Sequence, residues 1–221
     1  MGGISNTICF WVDVFLFVVC IMQITANGVV LWVWVRTKSL RSNENLIMLV
    51  SLAFIDFAYA VLQFPYLIIL MDEIPFDYSA SLIYWIGGPS AALMKSGCTI
   101  TSAVAADRCC ALIFPAKYYR GNKFRWSVAA FVLALTLAFI DWLVMVIIVP
   151  VFPHPGCSAF GCFMTSAFRM WWGLSNMAMN FISCILTVVM IGAMWERKRR
   201  ADLQRKIDKI ENEYRNKIDK S

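Results

Sequence analysis

Five uninterrupted apolar stretches constrain this chain more than anything else in it. They are Ile8–Val35, Leu46–Leu70, Tyr84–Ile113, Trp126–Pro150 and Phe168–Trp195. Each reaches the roughly 20 residues that an α-helix needs to cross the hydrocarbon layer of a bilayer. The apolar residues come in blocks, not in one-sided stripes. Blocks of this length favour helices over a barrel, whose strands would be about 10 residues long and alternating. Of the 221 residues, 60% are apolar and 15% charged, whereas a soluble domain carries about 25% charge. The expected fold class is an all-α membrane protein with five transmembrane helices.

The net charge of +6 does not point to nucleic acid, because the cations are segregated. Arg36, Lys38 and Arg41 follow the first stretch. Lys117, Arg120, Lys123 and Arg125 lie between the third and fourth, and Arg197, Lys198, Arg199 and Arg200 follow the fifth. Residues 1–7 have no Lys or Arg, Asp72–Ile83 has only acids, and Val151–Ala167 has neither sign apart from His154. Positive residues mark the cytoplasmic loops of membrane proteins, so the N-terminus is expected outside and the C-terminus in the cytoplasm. The N-terminal run lacks a basic flank and is too long for a cleaved signal peptide, so the first span is expected to stay. Tryptophans agree with these ends, since indoles favour the headgroup level. Trp11, Trp85, Trp171 and Trp172 fall near outer ends and Trp32, Trp34, Trp126 and Trp195 near inner ends; Trp142 lies deeper.

Cysteine usage adds one feature. Cys20, Cys98, Cys109, Cys110 and Cys184 lie within spans or near the cytoplasm and are expected reduced. Cys157 and Cys162 share an outer loop in Cys157-Ser-Ala-Phe-Gly-Cys162, where a disulfide is one reading. Two free thiols, or pairing with Cys9, are the others.

The composition changes at Glu196. Residues 1–195 read as the transmembrane bundle and residues 196–221 as a charged cytoplasmic tail. Leu203, Ile207, Ile210, Tyr214 and Ile218 form one apolar stripe at helical spacing. Opposite charges sit four apart in Asp202 with Lys206, Glu211 with Arg215 and Glu213 with Lys217, an arrangement that supports a helix weakly. Two readings stay open for this segment: a partner-binding or dimerising extension, and a solvated helix.

Polar residues inside a span are expensive, so each needs a reason. Asn27 in the first span and Asp56 in the second both fall about 12 to 15 Å in from the cytoplasmic side. They are expected to hydrogen-bond, as a helix-joining contact or as part of a cation or proton site. Lys95 in the third span and Asp141 in the fourth both fall about 14 to 17 Å in from the outside. They are expected to pair. The pair reads either as a buried bridge or as the floor of a ligand pocket, with Lys95 offering its charge to an acidic ligand.

The third span ends in Asp107-Arg108-Cys109-Cys110-Ala111-Leu112-Ile113-Phe114-Pro115-Ala116-Lys117-Tyr118. An acid and a base adjacent at the membrane edge can neutralise each other in one state, leaving Arg108 free for a partner in another. Pro115 ends or bends the helix. This segment resembles the end of the third helix of rhodopsin-like G-protein-coupled receptors. Leu52-Ala53-Phe54-Ile55-Asp56 resembles their second helix, and Asn27-Gly28-Val29-Val30 their first. The three motifs come in the right order and on the right side of the membrane, and the resemblance covers roughly residues 8–200. Finer features are similar to nematode serpentine chemoreceptors of class bc or class sx. These are Gly87-Gly88-Pro89 before span three and a Cys-rich outer loop followed by Trp171-Trp172.

The resemblance implies a chemoreceptor in the plasma membrane. It implies a small-molecule ligand, a heterotrimeric G protein as partner, and coupling through Asp107, Arg108, Pro115 and Tyr118. Some family features depart. Ile83 stands where a cysteine usually opens the third helix, the fifth span has no proline, and the sequence shows five spans where the family has seven. A truncated receptor that need not signal alone is therefore expected. A non-signalling assembly partner that forms a receptor dimer with full-length relatives and a small five-helix transporter are the alternatives. No cofactor, metal cluster or enzyme activity is expected, since there is one His and no nucleophile beside a base.

Overall fold

The structure, a computed structural model, describes residues 2–71, 79–151 and 160–218. Helices are the only regular secondary structure among the described residues. α1 spans Gly2–Arg36, α2 Lys38–Arg41, α3 Ile47–Met71, α4 Ala80–Ile113, α5 Pro115–Arg120, α6 Lys123–Ile148 and α7 Ser166–Ile218, with short 3₁₀ turns at Glu44–Leu46 and Phe160–Phe163. α1, α3, α6 and α7 are each long and apolar enough to cross a membrane. α4, with 34 residues, is long enough but less apolar, for a reason visible in the packing. It is the central helix, packed against α3, α6 and α7, so its polar side chains Ser90, Lys95, Ser96, Thr99 and Ser102 face protein and are buried.

The outer helices show the opposite pattern. α1 packs mainly on α3, and Trp11, Phe15, Met22 and Trp32 along it are exposed. Phe181 and Val188 of α7 are exposed as well. Large apolar side chains facing outward are what lipid tails solvate. Between helices, where lipid provides no hydrophobic drive, small residues allow close backbone approach. α6 supplies them at helical spacing: Ser127, Ala130, Ala134 and Ala138, continued by Asp141 and Met145, form its buried face.

Helix ends follow local chemistry. Ser79 caps α4, its hydroxyl accepting from the Leu82 N–H at 3.3 Å, and Asn122 caps α6, its side chain accepting from the Arg125 N–H at 3.0 Å. α4 stops at Ile113, Phe114 breaks the helix, and Pro115 opens α5 at a position where its missing N–H is harmless. Gly87-Gly88-Pro89, expected before span three, instead lie inside α4, with Pro89 within the helix. A Cβ on Gly87 would stand 2.6 Å from the Phe160 ring, and one on Gly88 would stand 2.5 Å from Met145 Cε. The two glycines thus let the Phe160–Phe163 turn and α6 close onto the central helix.

α7 runs without a break through the composition change at Glu196. Its 53 residues make a rod of about 80 Å, about twice the thickness of a bilayer with headgroups. The expected pairing of Asp202 with Lys206 does not form: Asp202 meets Arg205 at 3.9 Å, and Glu196 meets Arg200 at 3.0 Å. Gln204 donates to Asp208 at 2.9 Å.

Candidate functional site

At mid-depth of the bundle, Lys95 Nζ of α4 lies 3.3 Å from Asp141 Oδ2 of α6, with both side chains almost fully buried. The structure thus brings these two residues together and adds partners from α7. Asp141 Oδ1 accepts from Trp171 Nε1 at 3.3 Å. Lys95 Nζ donates to Ser175 Oγ, and that hydroxyl donates to the Trp172 carbonyl at 3.1 Å. Trp172 Nε1 returns to α4 by donating to the Ala91 carbonyl at 3.2 Å. One cation and one anion, each with a further polar contact, lock the central helix to α6 and α7. The sequence suggested headgroup positions for Trp171 and Trp172; both indole N–H groups are instead committed to this network. Asn176 is buried at the same level, and its amide has no hydrogen-bond partner among the described residues.

Towards the end where α4 begins, a cavity of about 160 Å³ lies between α3, α4 and α7. Tyr59, Gln63, Tyr66, Ser90, Met94 and Trp172 line it, with Phe160 over it. The Tyr66 hydroxyl accepts from the Phe160 N–H at 2.8 Å, fixing that cover. Lys95 does not line this cavity. Cys162, next to the cover, is disulfide-bonded. Its expected partner Cys157 lies outside the described residues, as does His154.

Deeper on the same flank is a groove of about 310 Å³ bordered by Gln23, Asp56, Tyr59, Cys98, Thr101 and Asn180, among others. Asp56 belongs to it, its Oδ1 3.8 Å from where a Cβ on Gly97 would be. Asn27 does not hydrogen-bond to Asp56. Its amide donates to the Gln23 carbonyl one turn back at 3.0 Å. A short amide satisfied on its own helix has no need of a neighbour, and Asp56 turns toward α4 instead.

At the other end of α4, the Tyr118 hydroxyl of α5 donates to both carboxylate oxygens of Asp107, at 3.1 and 3.0 Å. Pro115 makes this contact available: the break at Phe114 turns α5 back so that Tyr118 returns under α4. Lys123 Nζ lies 4.9 Å from the Tyr118 ring centre. Asp107, Tyr118, Asn122, Lys123 and Trp126 line a hollow of about 220 Å³ there. Half-buried Arg108 makes no hydrogen bond or ion pair among the described residues, so its neighbour Asp107 does not neutralise it. On the far side, Arg197 of α7 donates to the Leu112 carbonyl, tying α7 to the end of α4.

Residues 5–211 match the family model of serpentine type seven-helix G-protein-coupled chemoreceptors, class Srbc. The chain belongs to that family. No curated protein compared with it matches. As a member of the Srbc chemoreceptors it is a multi-pass integral membrane protein of receptor type, and the class bc alternative is the one that holds. Sequence reasoning missed Ser175, Asn176 and Asn180, and the contact of Trp171 with Asp141. The rule that singled out Asn27 applies equally to the two asparagines of the fifth span. The spacing of four between Trp171 and Ser175 placed both on one helix face.

Proposed function

We propose that this chain forms the ligand-holding and G-protein-facing part of a chemoreceptor in the plasma membrane, with its N-terminus outside. The cations flanking α1, α4–α6 and α7 support this orientation, because they collect at one end of the bundle. In that frame the cavity under Phe160 lies in the outer half of the bundle. Among the described residues its lining has aromatic rings, one amide and hydroxyls and no charged side chain. That lining suits a small uncharged ligand with one or two hydrogen-bonding groups, held in a mostly apolar site. Lys95 acts as a structural cation, engaged by Asp141 and Ser175, and not as an anchor for an acidic ligand.

The observation that carries the coupling proposal is at the inner end of α4. Tyr118 occupies Asp107, which leaves Arg108 available to an incoming protein. The test is the Arg108→Ala variant, assayed by agonist-driven nucleotide exchange with the chain followed by helices six and seven of an Srbc relative. Exchange should be abolished while surface expression stays near wild type. Normal exchange would sink the proposal.

A second reading is favoured by the groove that holds Asp56. Asp56 and Asn180 border it at membrane depth, where polar groups facing lipid are costly. Further transmembrane helices covering this flank, from a receptor partner or a second copy, would bury them. Crosslinking from a cysteine at position 180 in native membranes reads this out, and exclusive reaction with lipid probes would refute it.

A further inference from the structure

Where α7 leaves the membrane, it carries a cation-lined hollow that the coupling site does not use. The hollow has a volume of about 630 Å³, and its lining includes Trp195, Glu196, Lys198, Arg199, Asp202, Leu203 and Lys206. Both acids in it are already engaged, Glu196 by Arg200 at 3.0 Å and Asp202 by Arg205 at 3.9 Å. Lys198, Arg199 and Lys206 have no acidic partner among the described residues. Trp195 stands at the head of the hollow with 75% of its surface exposed, the placement of an indole at the headgroup level. Arg197 holds this stretch against the end of α4, so the position of the basic face relative to the bundle is fixed.

Distance along the helix narrows the occupant. Lys198 and Arg199 lie about 5 to 6 Å beyond Trp195, and Lys206 about 16 Å beyond it. Helical side chains lean toward the helix N-terminus, which brings the Lys206 ammonium back toward Arg199. A serine headgroup keeps its charge close to the membrane boundary and would meet only the first two cations. An inositol ring with two further phosphates projects farther and spans all three. Basic clusters directly cytoplasmic to a membrane helix are recognised as sites for such lipids. We propose that this face of α7 binds the headgroup of a polyphosphorylated inositol lipid in the cytoplasmic leaflet. The proposal rests on the orientation given above and not on coupling.

The test uses the whole chain in phosphatidylcholine nanodiscs, with lipid retention counted by native mass spectrometry. Dioctanoyl phosphatidylinositol bisphosphate and dioctanoyl phosphatidylserine are titrated separately, and soluble inositol trisphosphate is added as competitor. The bisphosphate lipid should be retained and phosphatidylserine should not, and inositol trisphosphate should compete only weakly, since it has no acyl anchor. The Lys198→Ala/Arg199→Ala/Lys206→Ala variant should bind about a hundredfold more weakly, since each cation near the surface contributes about fivefold. The Lys38→Ala/Arg41→Ala/Arg125→Ala variant removes the same charge elsewhere on that side and should bind within about twofold of wild type. Equal loss in both variants would show a net-charge effect and overturn the proposal. Equal retention of phosphatidylserine, or no retention of the bisphosphate lipid, would also overturn it, the latter leaving the face to an acidic protein surface. Inverted orientation in cells would overturn the proposal even with lipid retained in nanodiscs, because this face of α7 would then lie away from the cytoplasmic leaflet.

Discussion

Replacing Asp141 with asparagine isolates one quantity, the charge opposite Lys95. The shape is kept, and an asparagine oxygen can still accept from Trp171 Nε1, as Asp141 Oδ1 does at 3.3 Å. What is lost is the anion 3.3 Å from an ammonium that is only 6% exposed. A single charge at the centre of a membrane helix costs about 2.5 to 3.5 kcal/mol on insertion scales, and breaking a buried pair costs about 3 to 5 kcal/mol in soluble proteins. The Ser175 contact with Lys95 remains, which favours the lower end, about 3 kcal/mol. For a chain of this size that corresponds to a fall in Tm of roughly 6 to 12 °C. Buried free thiols at Cys20 and Cys109 provide the assay, because a thiol-reactive dye reports their exposure as the detergent-solubilised protein is heated. Replacing both residues with apolar ones, Lys95→Met with Asp141→Leu, should restore most of the loss, since an apolar pair of similar volume often matches a buried ion pair. A Tm for Asp141→Asn equal to wild type would refute the reasoning. So would a double variant as unstable as the single one.

Two further outcomes follow from the packing and from α5. Gly87→Ala should lower the dye-detected Tm more than Gly88→Ala, because the new Cβ meets the stiff Phe160 ring in the first case and the flexible tip of Met145 in the second; the reverse order would contradict the fit described at that end of α4. Tyr118→Phe removes both hydrogen bonds to Asp107 and frees that carboxylate to neutralise Arg108, so agonist-driven nucleotide exchange in the seven-helix context should fall several-fold at unchanged expression, and an unaltered rate would count against Tyr118 as the group that keeps Arg108 available.

Much of this was legible in residue order because membrane folding makes burial and charge placement conspicuous. Long apolar blocks and segregated cations mark spans with little ambiguity, and an isolated Lys95 and Asp141 at matching depth leave few ways to satisfy each other's charge. What sequence could not supply was rotation about each helix axis. Depth alone placed Asn27 and Asp56 at one level, yet the Asn27 amide closes on its own Gln23 carbonyl and Asp56 faces α4. Depth also assigned Trp171 and Trp172 to the headgroups, when their rotation sends the indole N–H groups to Asp141 and Ala91. Gly87 and Gly88 entered only as part of a family resemblance, with no physical role assigned. In α4 they are spaces for Phe160 and Met145, which come from parts of the chain far away in sequence.

The proposed sensing and coupling roles depend on which end of α4 meets the cytoplasm. Epitope tags placed before Met1 and after Ser221, probed with antibody on intact and then permeabilised cells, answer this most directly. The account predicts N-terminal labelling on intact cells and C-terminal labelling only after permeabilisation. C-terminal labelling on intact cells would place Arg108 outside and contradict it.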